Sequence, residues 1–360
     1  MATLPPLHKL DPARFETPAV LKKLAAASRN LAELKGVAAT IPNQEILIDT
    51  LGMQEAKDSS AIENIITTHD ELYRDDDPTD GQLGANAKEV LRYRQALKLG
   101  FGRVRKTGLL TLNTVLNIQQ ELEASRAGMR KVPGTVLKDS AGKTVYTPPQ
   151  DAQEVKRLMG ELERFMHDEP PFDADPLIRM ALIHFQFESI HPFYDGNGRT
   201  GRIINVLYLV KEGLLDIPVL YLSRHIVRTK ADYYRLLRAV PEKNAWEEWV
   251  IYMLTAVEHT AAETVATIQA IRLLLTKLKH EIRSKYKFYS QDLLNNLFAH
   301  PYTKIEFIQR DLGVSRLTAA KYLDALVDGK ILQKRKLGRS NYYVNAALFK
   351  ILLGAESQGS

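Results

Sequence analysis

Residues 191–202, with the sequence HPFYDGNGRTGR, constrain this chain more than any other segment. They follow an amphipathic helix and precede an apolar one, and two glycines on either side of Asn197 allow a backbone turn with positive φ. Such a turn aims successive N–H groups into one concavity at a helix N-terminus, where the helix dipole also favours negative charge. The segment therefore predicts a phosphate-binding loop between two helices.

The charged side chains of this segment fit a nucleotide site. Arg199 and Arg202 lie three residues apart on the first helical turn, so both project to one side and can donate paired hydrogen bonds to phosphate. Asp195 offers a hard oxygen ligand, and Mg²⁺ usually bridges one or two carboxylates to nucleotide phosphates. His191 lies at the other edge, where it can take a proton from an attacking hydroxyl. The residues alone predict a Mg-nucleotide site with a general base, with a plain helix–loop–helix corner as the alternative.

The same segment resembles the signature HPFxDGNGRxxR of Fic domains at all nine specified positions. His184, Phe187 and Glu188 fit the lead-in usual in that family, and the resemblance extends over about residues 40–260. It implies a mainly α Fic fold with a β-hairpin flap. It also implies a protein adenylyltransferase, which moves AMP from ATP to a Ser, Thr or Tyr hydroxyl of a protein and releases pyrophosphate. ATP is the expected substrate and Mg²⁺ the expected cofactor.

The resemblance implies a role for each matched position. His191 is the expected general base, Asp195 the Mg²⁺ ligand, and Phe193 a buried anchor of the loop. Family members that transfer phosphate carry Lys at the position of Gly198, so the glycine favours AMP transfer. The residues expected to bind the phosphates of ATP are Gly196, Asn197, Gly198, Arg199 and Arg202.

Residues 59–64, SSAIEN, resemble the inhibitory motif [S/T]xxxE[G/N] of self-inhibited Fic proteins. Residues 58–60 are expected to interrupt a helix that begins near Asn43 and to cap a short inhibitory helix near 58–66. On that helix Ser59 and Glu63 share a face because they lie four residues apart. The resemblance implies that Glu63 reaches Arg202 and occupies the space of the γ-phosphate; an ordinary helix cap on the surface is the alternative.

Residues 132–137 and 144–147 are β-prone and flank a turn-rich loop, which predicts a hairpin. It resembles the Fic flap, whose edge implies alignment of a target protein by strand addition; a hairpin that only packs is the alternative. Tyr233 and Tyr234 are expected at the adenine pocket, with core packing as an equal alternative. The flap residues that could contact the nucleotide are Val145, Tyr146 and Thr147.

The last 84 residues form a basic module. They contain fifteen basic and seven acidic residues, a balance of +8, whereas the first 276 residues sum to −2. A helix over 305–312, a turn capped by Ser315, a helix over 316–328 and a short hairpin predict a small α+β winged-helix domain. DNA is one expected ligand, and protein contact or dimerisation is the alternative. The candidate DNA contacts are Arg316, Lys321, Lys334, Arg335, Lys336 and Arg339.

The 360 residues are predicted to divide into an N-terminal helical region (1–105), a Fic domain (106–260), a connecting helix (261–289) and the winged helix (290–355). The chain has no cysteine, which excludes disulfides and thiolate metal sites and fits a reducing cytoplasm. No apolar run approaches the ~20 residues of a membrane span, so no membrane partner is expected. Modification of the chain itself and a homodimer are further expectations.

Two other functions compete with AMP transfer. One is a winged-helix DNA-binding regulator whose Fic module only senses a nucleotide. The other is an enzyme that removes AMP as well as adding it, with Glu63 positioning a water molecule. The complete set of His191, Asp195 and two arginines favours the enzyme, since a sensor would not need the histidine.

Overall fold

A computed structural model describes residues 4, 6–74, 84–138, 142–337 and 340–354 of the chain. Helices dominate these residues and two small antiparallel sheets accompany them, which confirms the predicted mainly α fold class. In chain order the helices are α1 (Pro18–Ala38), α2 (Glu45–Ile62), α3 (His69–Arg74), α4 (Ala85–Thr107), α5 (Leu112–Glu123), α6 (Ala152–Met166), α7 (Pro176–Ile190), α8 (Asn197–Lys211), α9 (Leu222–Arg228), α10 (Lys230–Lys243), α11 (Trp246–Lys285), α12 (Gln291–Ala299), α13 (Ile305–Leu312), α14 (Arg316–Asp328) and α15 (Ala346–Gly354). The strands are β1 (Leu137–Lys138), β2 (Thr144–Tyr146), β3 (Tyr302–Thr303), β4 (Gln333–Leu337) and β5 (Ser340–Val344).

The longest helix, α11, has 40 residues and forms one side of the helical body, by which we mean α1 to α11. Helix α1 packs along it, and Lys23 of α1 pairs with Glu258 of α11 at 2.7 Å. Thr17 and Pro18 fix the start of α1, because the threonine accepts a hydrogen bond from a first-turn N–H and the proline occupies the first turn. The predicted boundary at residue 260 falls within α11. Among the described residues no helix combines the length and hydropathy needed to cross a membrane.

Helices α7 and α8 meet in the core of the helical body and hold the loop of residues 191–202 between them. Both are buried on nearly every side, so neither shows a single apolar stripe. Trp249 of α11 donates from Nε1 to the carbonyl oxygen of Ala181 in α7 at 2.8 Å. Because close-packed interiors resist displacement, this packing fixes the two ends of the loop.

Helix α2 is continuous to Ile62, so the predicted interruption at residues 58–60 and the separate short helix are wrong. Ser59 is fully buried in the last turn. A serine in a helix often competes for backbone hydrogen bonds, but the Ser59 hydroxyl accepts one from Arg202 at 2.8 Å instead. Glu63 is the C-cap residue, and the residues after it, up to 66, are not helical.

The predicted hairpin forms, but it is shorter than expected. Strand β1 pairs antiparallel with β2, with Leu137 opposite Tyr146, and residues 132–136 are not strand. Proline and glycine weaken that segment as a strand, and Gly134 instead donates its N–H to the side chain of Gln150 at 2.7 Å. Residues 139–141 of the hairpin loop lie outside the described residues. We call β1, β2 and the residues joining them the flap.

The C-terminal unit consists of α12 to α15 and the sheet β3-β5-β4. Its α13–turn–α14 segment has the predicted bounds: Gly313 adopts a φ of 65°, and Ser315 caps α14 by accepting the N–H of Thr318 at 3.2 Å. The unit packs against α2 and α3 of the helical body, where Tyr302 donates to Asp70 at 2.6 Å. Helix–turn–helix geometry thus follows from local capping, whereas the docking depends on residues distant in sequence.

Candidate active site

The loop between α7 and α8 is closed by its own residues. His191 ends α7 with a φ of 49°, in the left-handed region, and Gly196 begins α8 with a φ of 76°. Asn197 accepts the N–H of Phe193 at 2.8 Å and donates to its carbonyl oxygen at 2.9 Å. The Phe193 ring is fully buried. The Asn197 side chain is thus occupied in closing the loop, which leaves its backbone N–H for an anion.

The His191 imidazole is neutral at pH 7. Burial lowers the pKa of His191 to about 4, and the positive charge of Arg130 acts in the same direction, while Glu63 and Asp195 oppose it. Its Nδ1 atom is buried and has no hydrogen-bond partner among the described residues. A neutral imidazole can accept a proton from a hydroxyl group, as a general base must.

The N-terminus of α8 is open to an anion. Its N-cap residue is Gly196, so no side chain satisfies the first N–H groups of the helix. These groups and the positive end of the helix dipole face the loop. This end of α8 is therefore suited to bind a phosphate group.

Asp195, the predicted magnesium ligand, stands next to that helix end. Its side chain is 80% exposed, and Oδ1 accepts the N–H of Gly196 at 2.7 Å. Among the described residues, no group of three or more His, Asp or Glu side chains could hold a metal ion. A single exposed carboxylate fits Mg²⁺, which is usually held by one or two carboxylates together with water and substrate phosphates. Asp195 thus suits this ion when a phosphate-bearing ligand supplies the remaining oxygens.

Arg202 is enclosed by the end of α2. Its side chain is 1% exposed, Nε donates to the Ser59 hydroxyl, and Nη2 donates to the Ser59 carbonyl at 3.0 Å and to Glu63 Oε1 at 2.9 Å. Burial acts to lower the pKa of Arg202, but the Glu63 carboxylate raises it above its ordinary value. Conversely, partial burial acts to raise the pKa of Glu63, and Arg202 outweighs that and lowers it. The structure thus brings Glu63 and Arg202 together as a charged pair.

Gly198 permits this pair to form. A β-carbon at position 198 would collide with Oε1 of Glu63 and come within 3.0 Å of Nη1 of Arg202. Any side chain at this position would therefore push the carboxylate away from the guanidinium. The sequence pattern indicated a phosphate cradle here but not a contact with Glu63.

Arg199 is bound by two carboxylates that the sequence analysis missed. Nη1 donates to Glu89 of α4 at 2.9 Å, and Nη2 lies 3.0 Å from Glu123 at the end of α5. Burial raises the pKa of Glu123, while Arg199 acts in the opposite direction. Neither glutamate belongs to a local motif, so no signal in the sequence could have identified them. A phosphate that reached Arg199 would compete with these pairs.

Three family models match the chain in succession. They are described as Fic/DOC family N-terminal over residues 21–102, Fic/DOC family over 109–209, and protein adenylyltransferase SoFic-like, C-terminal domain, over 274–348. The second match contains the whole loop 191–202. The chain belongs to the Fic/DOC family.

Curated relatives of this Fic protein match parts of it. Protein adenylyltransferase fic-1 of Caenorhabditis elegans is 33% identical over 89 residues, which are 25% of this chain and 16% of that protein. Protein adenylyltransferase Fic of Nematostella vectensis is 25% identical over 154 residues, 41% of this chain and 33% of that protein. The matched segments thus span between about a sixth and a third of these relatives.

Solved structures share the Fic fold. A Fic family protein from Desulfovibrio desulfuricans superimposes with a TM-score of 0.56 at 19% identity, covering 93% of this chain and 98% of the other. Residues 134–508 of Fic-1 from C. elegans give a TM-score of 0.54 at 19% identity, covering 71% and 74%. At these identities the similarity concerns the fold.

The two tyrosines predicted at the adenine pocket of the Fic domain differ in exposure. Tyr233 is buried, and its hydroxyl lies 2.9 Å from Nε2 of His184 and within the aromatic cluster of Trp249. Tyr234 is exposed beside it, with 5.1 Å between the two ring centroids. Core packing therefore accounts for Tyr233, and Tyr234 is the ring available to a ligand.

The flap of the Fic domain is tied to α7. Tyr146 donates from its hydroxyl to the carbonyl oxygen of Ser189 at 2.9 Å, and burial raises the pKa of Tyr146 to about 12. Val145 is half-buried and Thr147 is exposed. The flap thus lies against the helix end that carries His191.

The basic residues of the C-terminal unit are largely exposed, and three of them already have partners in the chain. Arg316 pairs with Glu306 at 2.9 Å, Lys334 with Asp324 at 2.8 Å, and Arg335 donates to Tyr302 at 3.3 Å. The exposed side chains of Lys321 and Lys336 complete the predicted set within the described residues, and Arg339 lies outside them.

Proposed function

We propose that this Fic protein transfers AMP from ATP to a Ser, Thr or Tyr hydroxyl of a protein, and that Glu63 inhibits the transfer. The observation that carries the proposal is the neutral His191 beside the uncapped N-terminus of α8, with Arg199 and Arg202 on the first turns of the same helix. The names of the curated relatives support the same reaction class.

In the proposed reaction, His191 takes the proton of the target hydroxyl as its oxygen attacks the α-phosphorus of ATP. The bond between the α-phosphorus and the bridging oxygen breaks, and pyrophosphate leaves with that oxygen. The N–H groups at the start of α8 and the two arginines are placed to stabilise negative charge on the phosphates. Mg²⁺, held by Asp195, would neutralise part of the phosphate charge when bound.

Inhibition by Glu63 is supported by its position on Arg202. The guanidinium donates to Glu63 and to two atoms of Ser59, so it cannot donate the same N–H groups to a phosphate. A carboxylate over Gly198 also places negative charge where a phosphate would bind. Loss of the carboxylate would free Arg202 and remove that repulsion.

A target protein would be held along the flap. The flap is a two-stranded sheet whose outer strand edges can pair with an extended peptide through backbone hydrogen bonds. Such pairing depends little on target sequence. It would bring a target hydroxyl towards α7, because Tyr146 of β2 contacts the end of that helix.

The test is labelling with α-³²P-ATP and Mg²⁺, read as label on the chain itself and on proteins of a cell extract. We expect weak labelling by the natural chain, strong labelling by Glu63→Gly and none by Glu63→Gly/His191→Ala. His280→Ala in the Glu63→Gly background is the matched control, since His280 is exposed on α11. Label from γ-³²P-ATP would indicate phosphate transfer instead.

Two results would overturn the proposal. Equal labelling with and without His191 would refute its role as the base, and no gain for Glu63→Gly would refute inhibition alone. Release of AMP from a purified labelled protein by the natural chain, but not by Glu63→Gly, would assign removal of AMP to the same site. A nucleotide-sensing DNA regulator would bind ATP and label nothing in any variant.

A further inference from the structure

Arg130 is a buried cation outside the loop 191–202, in the segment between α5 and the flap. It is 2% exposed. Its guanidinium donates to three backbone carbonyl oxygens: from Nε to His191 at 2.8 Å, and from Nη2 to Ile190 at 3.2 Å and to Pro149. A buried cation is costly unless it is well satisfied, so this set of acceptors marks a built arrangement.

Two of these acceptors terminate α7. The last carbonyl groups of a helix have no partner within the helix and carry its negative dipole end, which a guanidinium neutralises. The N–H of Arg130 also donates to the carbonyl of Pro192 at 2.9 Å. Arg130 therefore binds the carbonyl oxygens of three consecutive residues, 190, 191 and 192.

The middle one of these residues is the proposed base. His191 has a φ of 49° and a ψ of 60°, a conformation that non-glycine residues adopt at a cost of about 1 kcal/mol or more and keep only where neighbours hold it. The bonds from Arg130 supply that restraint on both sides of the His191 α-carbon. The bridge between Met129 and Phe193 extends it by one residue.

The third acceptor belongs to the flap side of the site. Pro149 follows β2 by three residues, so one guanidinium joins the base of the flap to the turn that carries His191. Tyr146 makes a second connection from the flap to Ser189 of α7. The surface that would hold a target and the group that would take its proton are thus fixed to each other through one side chain.

We propose that Arg130 is a positioning residue that holds the His191 turn and the base of the flap as one unit, so that a flap-bound hydroxyl meets the imidazole. This inference rests on the proposed AMP transfer for its catalytic consequence. Its geometric part, the restraint of residues 190–193 and 144–149, stands independently. The charged groups acting on His191 are Arg130 itself, Glu63 at the end of α2, and Asp195 in the loop.

The experiment uses the full chain in the Glu63→Gly background. Arg130→Met removes both charge and hydrogen bonds, Arg130→Lys keeps the charge but not the fork, and Arg126→Met changes an exposed arginine four residues earlier. We expect Arg130→Met to lower kcat for AMP transfer by roughly ten- to a hundredfold, the effect of misplacing a reacting group by about 1 Å, with KM for ATP within about twofold. The acid limb of the pH profile should move to higher pH in Arg130→Met and stay in place in Arg130→Lys. Arg126→Met should match its parent.

A second measurement does not depend on activity. Hydrogen exchange should accelerate at residues 190–193 and 144–149 together in Arg130→Met, and the His191 resonance, assigned by its loss in His191→Ala, should titrate at higher pH. If the parent transfers no AMP, the proposed function fails while exchange and titration still decide the role of Arg130. Unchanged exchange and titration would overturn the inference. So would equal losses of kcat, ATP binding and melting temperature in both Arg130 variants, which indicate a merely structural role.

Discussion

The arginines of the α8 turn and the basic residues of the C-terminal unit show two uses of positive charge in one chain. Arg202 and Arg199 are at most 4% exposed, and carboxylates from other helices bind both. Arg316 of the C-terminal unit is 67% exposed and has a single surface partner, Glu306. Most of the net charge thus lies where each cation contributes little, and the organised site lies in the part with a slightly negative sum.

The comparison teaches that burial and pairing, and not the number of cations, mark the functional site. A buried arginine can be retained only with partners, so its surroundings are specified by several helices at once. An exposed lysine or arginine is satisfied by water and places no demand on the rest of the fold. The predictions below test this difference, beginning with the largest expected effect.

Glu63→Gln and Glu306→Gln remove the carboxylate from two Arg–Glu pairs with the same 2.9 Å separation. We expect the first to raise AMP transfer by about ten- to a hundredfold, the equivalent of one or two charge-assisted hydrogen bonds. The second should leave the rate unchanged, because its arginine is exposed and far from the loop. Labelling with α-³²P-ATP measures both, and equal effects would contradict the comparison.

Arg199→Met should destabilise the helical body more than Arg316→Met destabilises the C-terminal unit. The first leaves Glu123 and Glu89 without their cation, which we expect to lower the free energy of unfolding by about 2 kcal/mol. The second should change it by less than about 0.5 kcal/mol. Urea unfolding checks this, followed by circular dichroism and by fluorescence of the two tryptophans in α11; similar values for both variants would refute it.

The pH dependence of AMP transfer should reflect the buried groups. In Glu63→Gly the rate should be constant from pH 8 to about pH 5 and fall below that, because His191 is neutral above its pKa of about 4 and loses its lone pair on protonation. The natural chain should stay inhibited over the same range, since Arg202 lowers the pKa of Glu63 and keeps it ionised. A rise in the activity of the natural chain between pH 7 and pH 5 would contradict this assignment.

The smallest effect concerns the basic face of the C-terminal unit. If that face meets DNA phosphates, Lys321→Ala should weaken retention on duplex DNA about threefold at low salt and reduce the salt slope by about one. Lys334→Ala should do less, because Asp324 already holds that ammonium group at 2.8 Å. Retention that does not fall with added salt would exclude phosphate contacts.

Much of the helical body could be predicted because its signals are local. Pro18 at the start of α1 and Ser315 before α14 announce helix ends through side chains adjacent to the backbone they cap. The break expected at residues 58–60 was wrong for the opposite reason. Ser59 is satisfied by Arg202, 143 residues away, and no local preference reports such a partner.

The sequence by itself determined the phosphate-binding loop, because two glycines, a histidine and two arginines at fixed spacing dictate its turn and its chemistry. It also determined that the excess positive charge belongs to the C-terminal unit. Only the tertiary structure decided what restrains the loop. Arg199 meets Glu89 across 110 residues, Arg202 meets Glu63 across 139, and Arg130 meets His191 across 61. These pairs exist because helices distant in sequence pack around a buried charge that each must help to satisfy.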